Sequence, residues 1–162
     1  MSPPFLIGHG YDLHRLQSGG LLYLAGILVS EEISPIAHSD GDVVIHALVD
    51  ALLGALALGD IGEHFPDSDP RWAGVSSLKF LEPVMALVKD AGYQVANVDV
   101  TILAERPRLK PFKPDMTARL KLFLGSSTRV NIKAGTNEKC DAIGQGQAIA
   151  AHAVVLLHKV PP

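Results

Sequence analysis

Asp12 and His14 stand two residues apart in Gly8-His9-Gly10-Tyr11-Asp12-Leu13-His14, and His46 lies in the apolar run that follows Asp42. A carboxylate and two imidazoles suit a divalent transition metal. A set of three also leaves a coordination position open for substrate, as catalytic zinc sites commonly do. Alternate residues of a strand share a face, so Asp12 and His14 would point the same way at the end of a first strand. Residues four apart share a helix face, which sets Asp42, His46 and Asp50 in one stripe. If that stripe faces the strand end, Asp12, His14 and His46 can share one ion, with Asp42 or Asp50 holding an imidazole N–H. Spacing alone leaves a plainer reading open: Asp-x-His arises by chance, and a helix histidine is more often a partly buried residue with a satisfied hydrogen bond.

His9, His64, His152 and His158 have no partner pattern, and structural roles are expected for them. His38 differs because it precedes the expected start of a helix, where free amides and the positive dipole end favour anions. His38 with Ser39 could serve a phosphate there or form an ordinary loop. Two further segments carry chemistry. Asp60 to Pro70 is acidic, turn-rich and longer than a tight connection, and such loops are often functional, although a solvated loop fits too. Gly135-Thr136-Asn137-Glu138-Lys139 follows a strand and offers amides, a hydroxyl and a carboxylate that could hold a hard cation such as magnesium. It lacks the spacing of a P-loop.

The elements that must position these groups follow from periodicity. Phe5 to Leu13 and Leu21 to Val29 read as strands, the second after a turn at Ser18-Gly19-Gly20. Ser39-Asp40-Gly41-Asp42 fits a capping pattern before a helix over Val43 to Leu58. A second helix runs from a cap at Ser76 or Ser77 to about Ala91. Val95 to Ala104 and Arg129 to Ala134 read as strands, with a third helix from Pro114 to Leu124 between them. Gly135 to Gly146 reads as a loop, and the apolar run Ala148 to His158 fits either element, with Val154-Val155-Leu156-Leu157 favouring a last strand. The expected architecture is one α+β domain over 1–162, a mixed four- to five-stranded sheet with three helices packed on one face.

Bulk properties narrow the function. The chain has 162 residues, 48% of them hydrophobic, and a formal net charge of -3. No basic field invites nucleic acid or an anionic membrane, so phosphate contacts would come from metals, amides and a few local groups. The single cysteine, Cys140, permits no intrachain disulfide and fits a reducing cytoplasm. No signal peptide is expected from the N-terminus. The apolar run from Ala47 to Leu58 is too short to span a bilayer.

The Gly8–His14 segment, the run from Ala37 through His46 and Asp50 to Ala55, Leu58 to Gly62 and Phe65 to Pro70 together resemble the 2-C-methyl-D-erythritol 2,4-cyclodiphosphate synthase family. Asn97 to Ile102, Val130 to Ala134, Glu138-Lys139 and Gly144-x-Gly146 continue the resemblance, colinear from Ile7 to Leu157. It implies a metal-dependent internal phosphoryl transfer in the non-mevalonate isoprenoid pathway. That reaction closes 4-diphosphocytidyl-2-C-methyl-D-erythritol 2-phosphate to the cyclic diphosphate and releases CMP. It implies a homotrimer with active sites between subunits. Zinc, or another divalent transition metal, would sit on Asp12, His14 and His46, and magnesium or manganese would sit with the substrate phosphates near Glu138. His38 and Thr136 match transition-state stabilisers.

Substrate contacts are implied for Asp12, His14, His38 and Ser39, for Asp60, Ile61 and Gly62, and for Phe65, Pro66, Asp67, Ser68 and Asp69. The turn of Ala104, Glu105, Arg106, Pro107, Arg108, Leu109 and Lys110 matches a cytidine site. Gly135, Thr136, Asn137 and Glu138 close the set with Ala142 and Gln145. The last two replace an aromatic residue and an arginine common in the family, so weaker anion binding is expected there. Competing functions are a zinc-dependent phosphohydrolase with the same ligands and a non-catalytic metal- or nucleotide-binding trimer.

Overall fold

Two glycines on the first strand determine how the main helix meets the sheet. In β1 (Phe5–Ser18) the residues at even positions face inward, and Gly8 and Gly10 are buried there. A Cβ on Gly8 would lie 1.8 Å from the carbonyl oxygen of Ala51, and one on Gly10 would lie 1.9 Å from that of Ala47. Only glycine allows this backbone-on-backbone approach of α1 (Val43–Ala55). The approach brings the helix's His46 against Asp12 and His14, which follow on the same face of β1. The structure, a computed structural model, describes residues 3–161. Met1, Ser2 and Pro162, included in the single-domain and N-terminal expectations, lie outside the described residues.

The main sheet has five strands in the order β4-β1-β7-β5-β6, where β4 is Ile33–Pro35, β5 Tyr93–Leu103, β6 Arg129–Gly135 and β7 Ala148–Lys159. β7 runs antiparallel to both β1 and β5, and β5 and β6 are parallel, so the sheet is mixed as expected. α1 is buried on nearly every side, as a helix sandwiched between a sheet and outer elements must be. It packs on β1 and β7 and is flanked by α3 (Leu78–Asp90); α4 (Lys113–Leu124) packs on β6. The opposite face of the sheet is uncovered in the single chain: Phe5 is 60% exposed and Ile7 71%, with Tyr11, Leu13 and Val154 beside them. Among the described residues no helix is long and apolar enough to cross a membrane.

Several expectations need correction. Leu21 to Val29 is two strands, β2 (Leu22–Leu24) and β3 (Ile27–Ser30), paired as a separate hairpin. Ala25 and Gly26 both adopt positive φ between them, a reversal that apolar composition does not reveal. β1 continues to Ser18, so Asp12 and His14 lie within it and not at its end. The Asp60 to Pro70 loop contains α2 (Ile61–His64) and a 3-10 turn at Pro70–Trp72, and the glycine loop after β6 contains α5 (Asp141–Gly144).

The cap of α1 is Asp42, not Ser39. Its carboxylate accepts from Val44 N and Ile45 N, both at 3.1 Å, and reaches across to Ala25 N at 3.0 Å and Gly26 N at 2.7 Å. Complete burial pushes its pKa up to about 6 even against those bonds. Asp42 thus ties the hairpin turn to the helix start and takes up the helix amides that were expected to be free for an anion.

Candidate metal centre

Asp12, His14 and His46 meet. Asp12 Oδ2 is 3.0 Å from His14 Nε2 and 3.0 Å from His46 Nδ1, and the two ring nitrogens are 3.2 Å apart. They are the one group of this kind among the described residues whose donor atoms lie close enough to hold a metal ion. Donors about 2 Å from a tetrahedral zinc stand about 3.3 Å from one another, so this triangle fits an ion with little movement. It is open on one side. The three side chains sit in a 520 Å³ cleft that also takes in His38, Ser39, Ile61, Gly62, Phe65 and Asp67.

The charges suit a cation. Burial raises the Asp12 carboxyl, but hydrogen bonds and charge from His14 and His46 outweigh it and hold the group well below the ordinary carboxylate range. Burial lowers the proton affinity of His46, yet the hydrogen bond and charge of Asp12, with Asp42 and Asp40 behind, leave its pKa raised.

The expected carboxylate behind His46 is not there. Asp42 caps the helix, and Asp50 accepts from Ile61 N at 2.7 Å and so anchors α2. The far nitrogen of His46, Nε2, meets Ser77 Oγ at 2.8 Å and Ser39 Oγ at 3.1 Å. Ser77 was expected only as a helix cap, and its side chain makes no capping bond. Spacing could not have found this role, because the partner comes from a helix more than thirty residues downstream. Phe65, Trp72 and Phe80 form an aromatic wall beside the ligands. The Phe65 and Phe80 rings stack at 4.7 Å, and Phe80 lies 5.9 Å from the His46 ring.

Eight of the remaining expected site residues line a second cleft of 360 Å³, and Glu138, Asn137, Ala142 and Gln145 are not among them. Ala104, Glu105, Pro107, Arg108, Leu109 and Lys110 line it with Gly135 and Thr136. Arg106, joined to Pro107 by a cis peptide, is not among its lining residues. Glu138 and Lys139 both adopt left-handed backbone conformations, and Glu138 N donates to Thr136 Oγ1 at 3.3 Å. Asn137 is turned to Asp141 at 2.9 Å, and Gln145 ends α5, into which Ala142 is built. In the acidic loop Asp60 caps α2 and Asp69 pairs with Arg71 at 2.6 Å. Neither these two nor Pro66 and Ser68 line the metal cleft.

The two clefts share no residue. Leu13, Ala150, Leu103 and Gly135 are in register across β1, β7, β5 and β6, so both clefts open at one end of the sheet, three strand spacings or about 14 Å apart. Elsewhere His9 and His152 contact each other at 3.1 Å, His158 meets Gln94, and His64 meets the Leu58 carbonyl at 2.8 Å.

Known proteins carry the same architecture. A synthase from Nitrosococcus oceani, named 2-C-methyl-D-erythritol 2,4-cyclodiphosphate synthase, is 54% identical over 152 residues, covering 93% of this chain and 96% of its own. The CDP complex of IspF from Plasmodium falciparum superposes with a TM-score of 0.87 at 29% identity, over 99% of this chain and all of that one. The bifunctional IspDF of Campylobacter jejuni gives a TM-score of 0.91 at 36% identity over 96% of this chain, which spans 42% of that longer protein. The YgbB family model matches residues 5–158, a stretch that contains the ligand triangle, the helix that completes it and both clefts, and the chain belongs to that family.

Proposed function

We propose that the chain catalyses the reaction for which its relatives are named, the metal-dependent closure of 4-diphosphocytidyl-2-C-methyl-D-erythritol 2-phosphate to 2-C-methyl-D-erythritol 2,4-cyclodiphosphate with release of CMP. The observation that carries this reading is the convergence of Asp12, His14 and His46 within 3.2 Å on the floor of an open cleft. The 2-phosphate oxygen attacks the β-phosphorus as the bond to the CMP oxygen breaks, so no protein nucleophile is needed and the task is positioning and charge neutralisation. When bound, zinc on Asp12, His14 and His46, with magnesium or manganese near Glu138, supplies Lewis-acid charge stabilisation. His38 and Ser39 at the cleft rim orient the phosphate, and Thr136 donates to the negative charge that moves toward the leaving group. The turn from Ala104 to Lys110 holds the cytidine.

The working unit in this reading is a homotrimer. Two observations support it. The metal cleft and the Thr136 cleft of one chain do not meet, so a neighbouring copy is needed to bring the two halves together. The uncovered apolar sheet face around Phe5, Ile7 and Tyr11 also asks for a partner. The test is to mix protein, substrate, zinc and magnesium and follow phosphorus NMR. CMP and the cyclic diphosphate appear in equal amounts, without solvent oxygen-18 in the product phosphates. A labelled open phosphate would identify a phosphohydrolase, and no turnover a binding protein.

Thr136→Val is expected to lower turnover about a hundredfold with melting nearly unchanged, because the residue is exposed in the single chain and its hydroxyl accepts only one long bond, from Glu138 N. Equal thermal damage with normal turnover would make Thr136 structural.

Metal retention should depend on pH. The raised folded-state pKa of His46 means that its pairing with Asp12 stabilises the metal-free protein fully below the ordinary imidazole value of 6.5. That contribution is lost as pH rises through the folded-state pKa. Zinc requires the deprotonated ring, so its stabilisation runs the opposite way. Melting with and without zinc should differ strongly at about pH 8 and converge toward about pH 5.5. A zinc effect unchanged across that window would exclude histidine ligands.

A further inference from the structure

We propose that Ser77, held by Asp40, is the positioning residue that sets the tautomer and ring orientation of the metal ligand His46; the inference rests on the metal-centre reading above. Ser77 is completely buried at the N-terminus of α3, yet its hydroxyl caps nothing. It contacts the Asp40 carboxylate on one side and His46 Nε2, at 2.8 Å, on the other. Asp40 is fixed in turn: one of its oxygens accepts Ser77 N–H at 3.0 Å and the other accepts Asp42 N–H at 3.2 Å.

A carboxylate only accepts hydrogen bonds, whereas a hydroxyl has one proton and two lone pairs. The Ser77 proton therefore points to Asp40, and the oxygen's lone pairs are left for His46, at 2.8 Å, and for the Ser39 hydroxyl, at 3.4 Å. The imidazole must then carry its proton on Nε2 and present the Nδ1 lone pair to Asp12, His14 and a metal. Without an acceptor behind it, the neutral ring is free to place its proton on Nδ1, which donates to Asp12 Oδ2 at 3.0 Å and blocks the coordination position. Ser39 also reaches Nε2, at 3.1 Å, but it stands at the cleft rim, and its oxygen already accepts Gly41 N–H at 3.3 Å. No carboxylate directs its proton away from the ring.

The test uses the full chain and zinc or cobalt alone. Ser77→Ala should weaken zinc about ten- to a hundredfold in chelator competition. Melting of the metal-free protein should fall by no more than about 8 °C, since the hydroxyl's bonds to Asp40 and His46 are lost but no capping bond is. The visible absorption of the cobalt-loaded variant should differ from the parent's, because the ring is no longer oriented. Ser77→Thr keeps the hydroxyl and should restore zinc affinity and the cobalt spectrum. Asp40→Asn can donate toward Ser77 in place of accepting, and should weaken zinc as Ser77→Ala does. Zinc affinity in Ser77→Ala within twofold of the parent would overturn the inference, and so would a Ser77→Thr variant as weak as Ser77→Ala. In either case the parent would still bind zinc through His46, and the metal centre would stand. A parent whose cobalt binding is unaffected by His46→Ala would remove the metal centre itself and the inference with it.

Discussion

His46→Ala is expected to lose its zinc and about a thousandfold or more of its turnover while remaining folded. The triangle explains the size of the effect. His46 supplies the one ligand from α1; without it Asp12 and His14 remain as adjacent donors on a single strand, and two ligands do not form the three-sided site that catalytic zinc requires. A thousandfold loss is about 4 kcal/mol of transition-state stabilisation, within reach of removing one Lewis acid from a phosphoryl transfer. The fold should survive because truncating His46 leaves the glycine-mediated contact between β1 and α1 in place. Metal analysis of the purified variant, together with CMP release, checks both halves. Full turnover from a protein without bound metal would remove the zinc-assisted chemistry from the proposed function.

How much of this site was legible in the sequence depended on the range of the interaction. Asp12 and His14 are two apart on a strand, and His46 falls in a strong apolar helix pattern, so local periodicity set the first two on one face and the third on a helix stripe, while the meeting of face and stripe rested on the resemblance. The strand β5 was legible from its alternation of Val98, Val100 and Ile102, whereas the apolar run of β7 fitted helix and strand alike. Interactions that cross between distant segments were not. Asp42 and Asp50 share the His46 helix stripe, but their carboxylates are taken by backbone amides of Gly26 and Ile61, which no stripe predicts. Ser77 looked like a helix cap from its position before Leu78, and its hydroxyl instead stands behind His46. The hairpin of β2 and β3 was read as one strand because its turn is Ala25-Gly26 and only one of those residues is a usual turn former. The separation of Asp12, His14 and His46 from Thr136 also depends on strand order, since two strands, β7 and β5, lie between β1 and β6, and no local pattern gives that order.

Gly10→Ala should damage stability and metal binding together. The added Cβ would meet the Ala47 carbonyl oxygen at 1.9 Å and the Ala51 nitrogen at 2.8 Å. Both are backbone atoms of a buried helix, so no rotamer change relieves the clash, and α1 must move outward by about 1.5 Å to reach an ordinary contact near 3.5 Å. Overpacking of this kind is expected to cost about 3 kcal/mol or more. Ala47 follows His46 directly, so the shift that accommodates the methyl group also draws His46 Nδ1 away from Asp12 and His14, and zinc affinity should fall by about a hundredfold or more. Gly54→Ala supplies the contrast on the same helix. A Cβ there meets nothing within 4 Å, and the change should stabilise the protein by about 0.5–1 kcal/mol with zinc binding unaltered. Denaturant unfolding of the metal-free proteins and zinc titration separate the two variants. If Gly10→Ala matched the parent in both measurements, α1 would be free to slide on β1 without penalty, and the distances within the ligand triangle would have to be set by something other than the glycine contact.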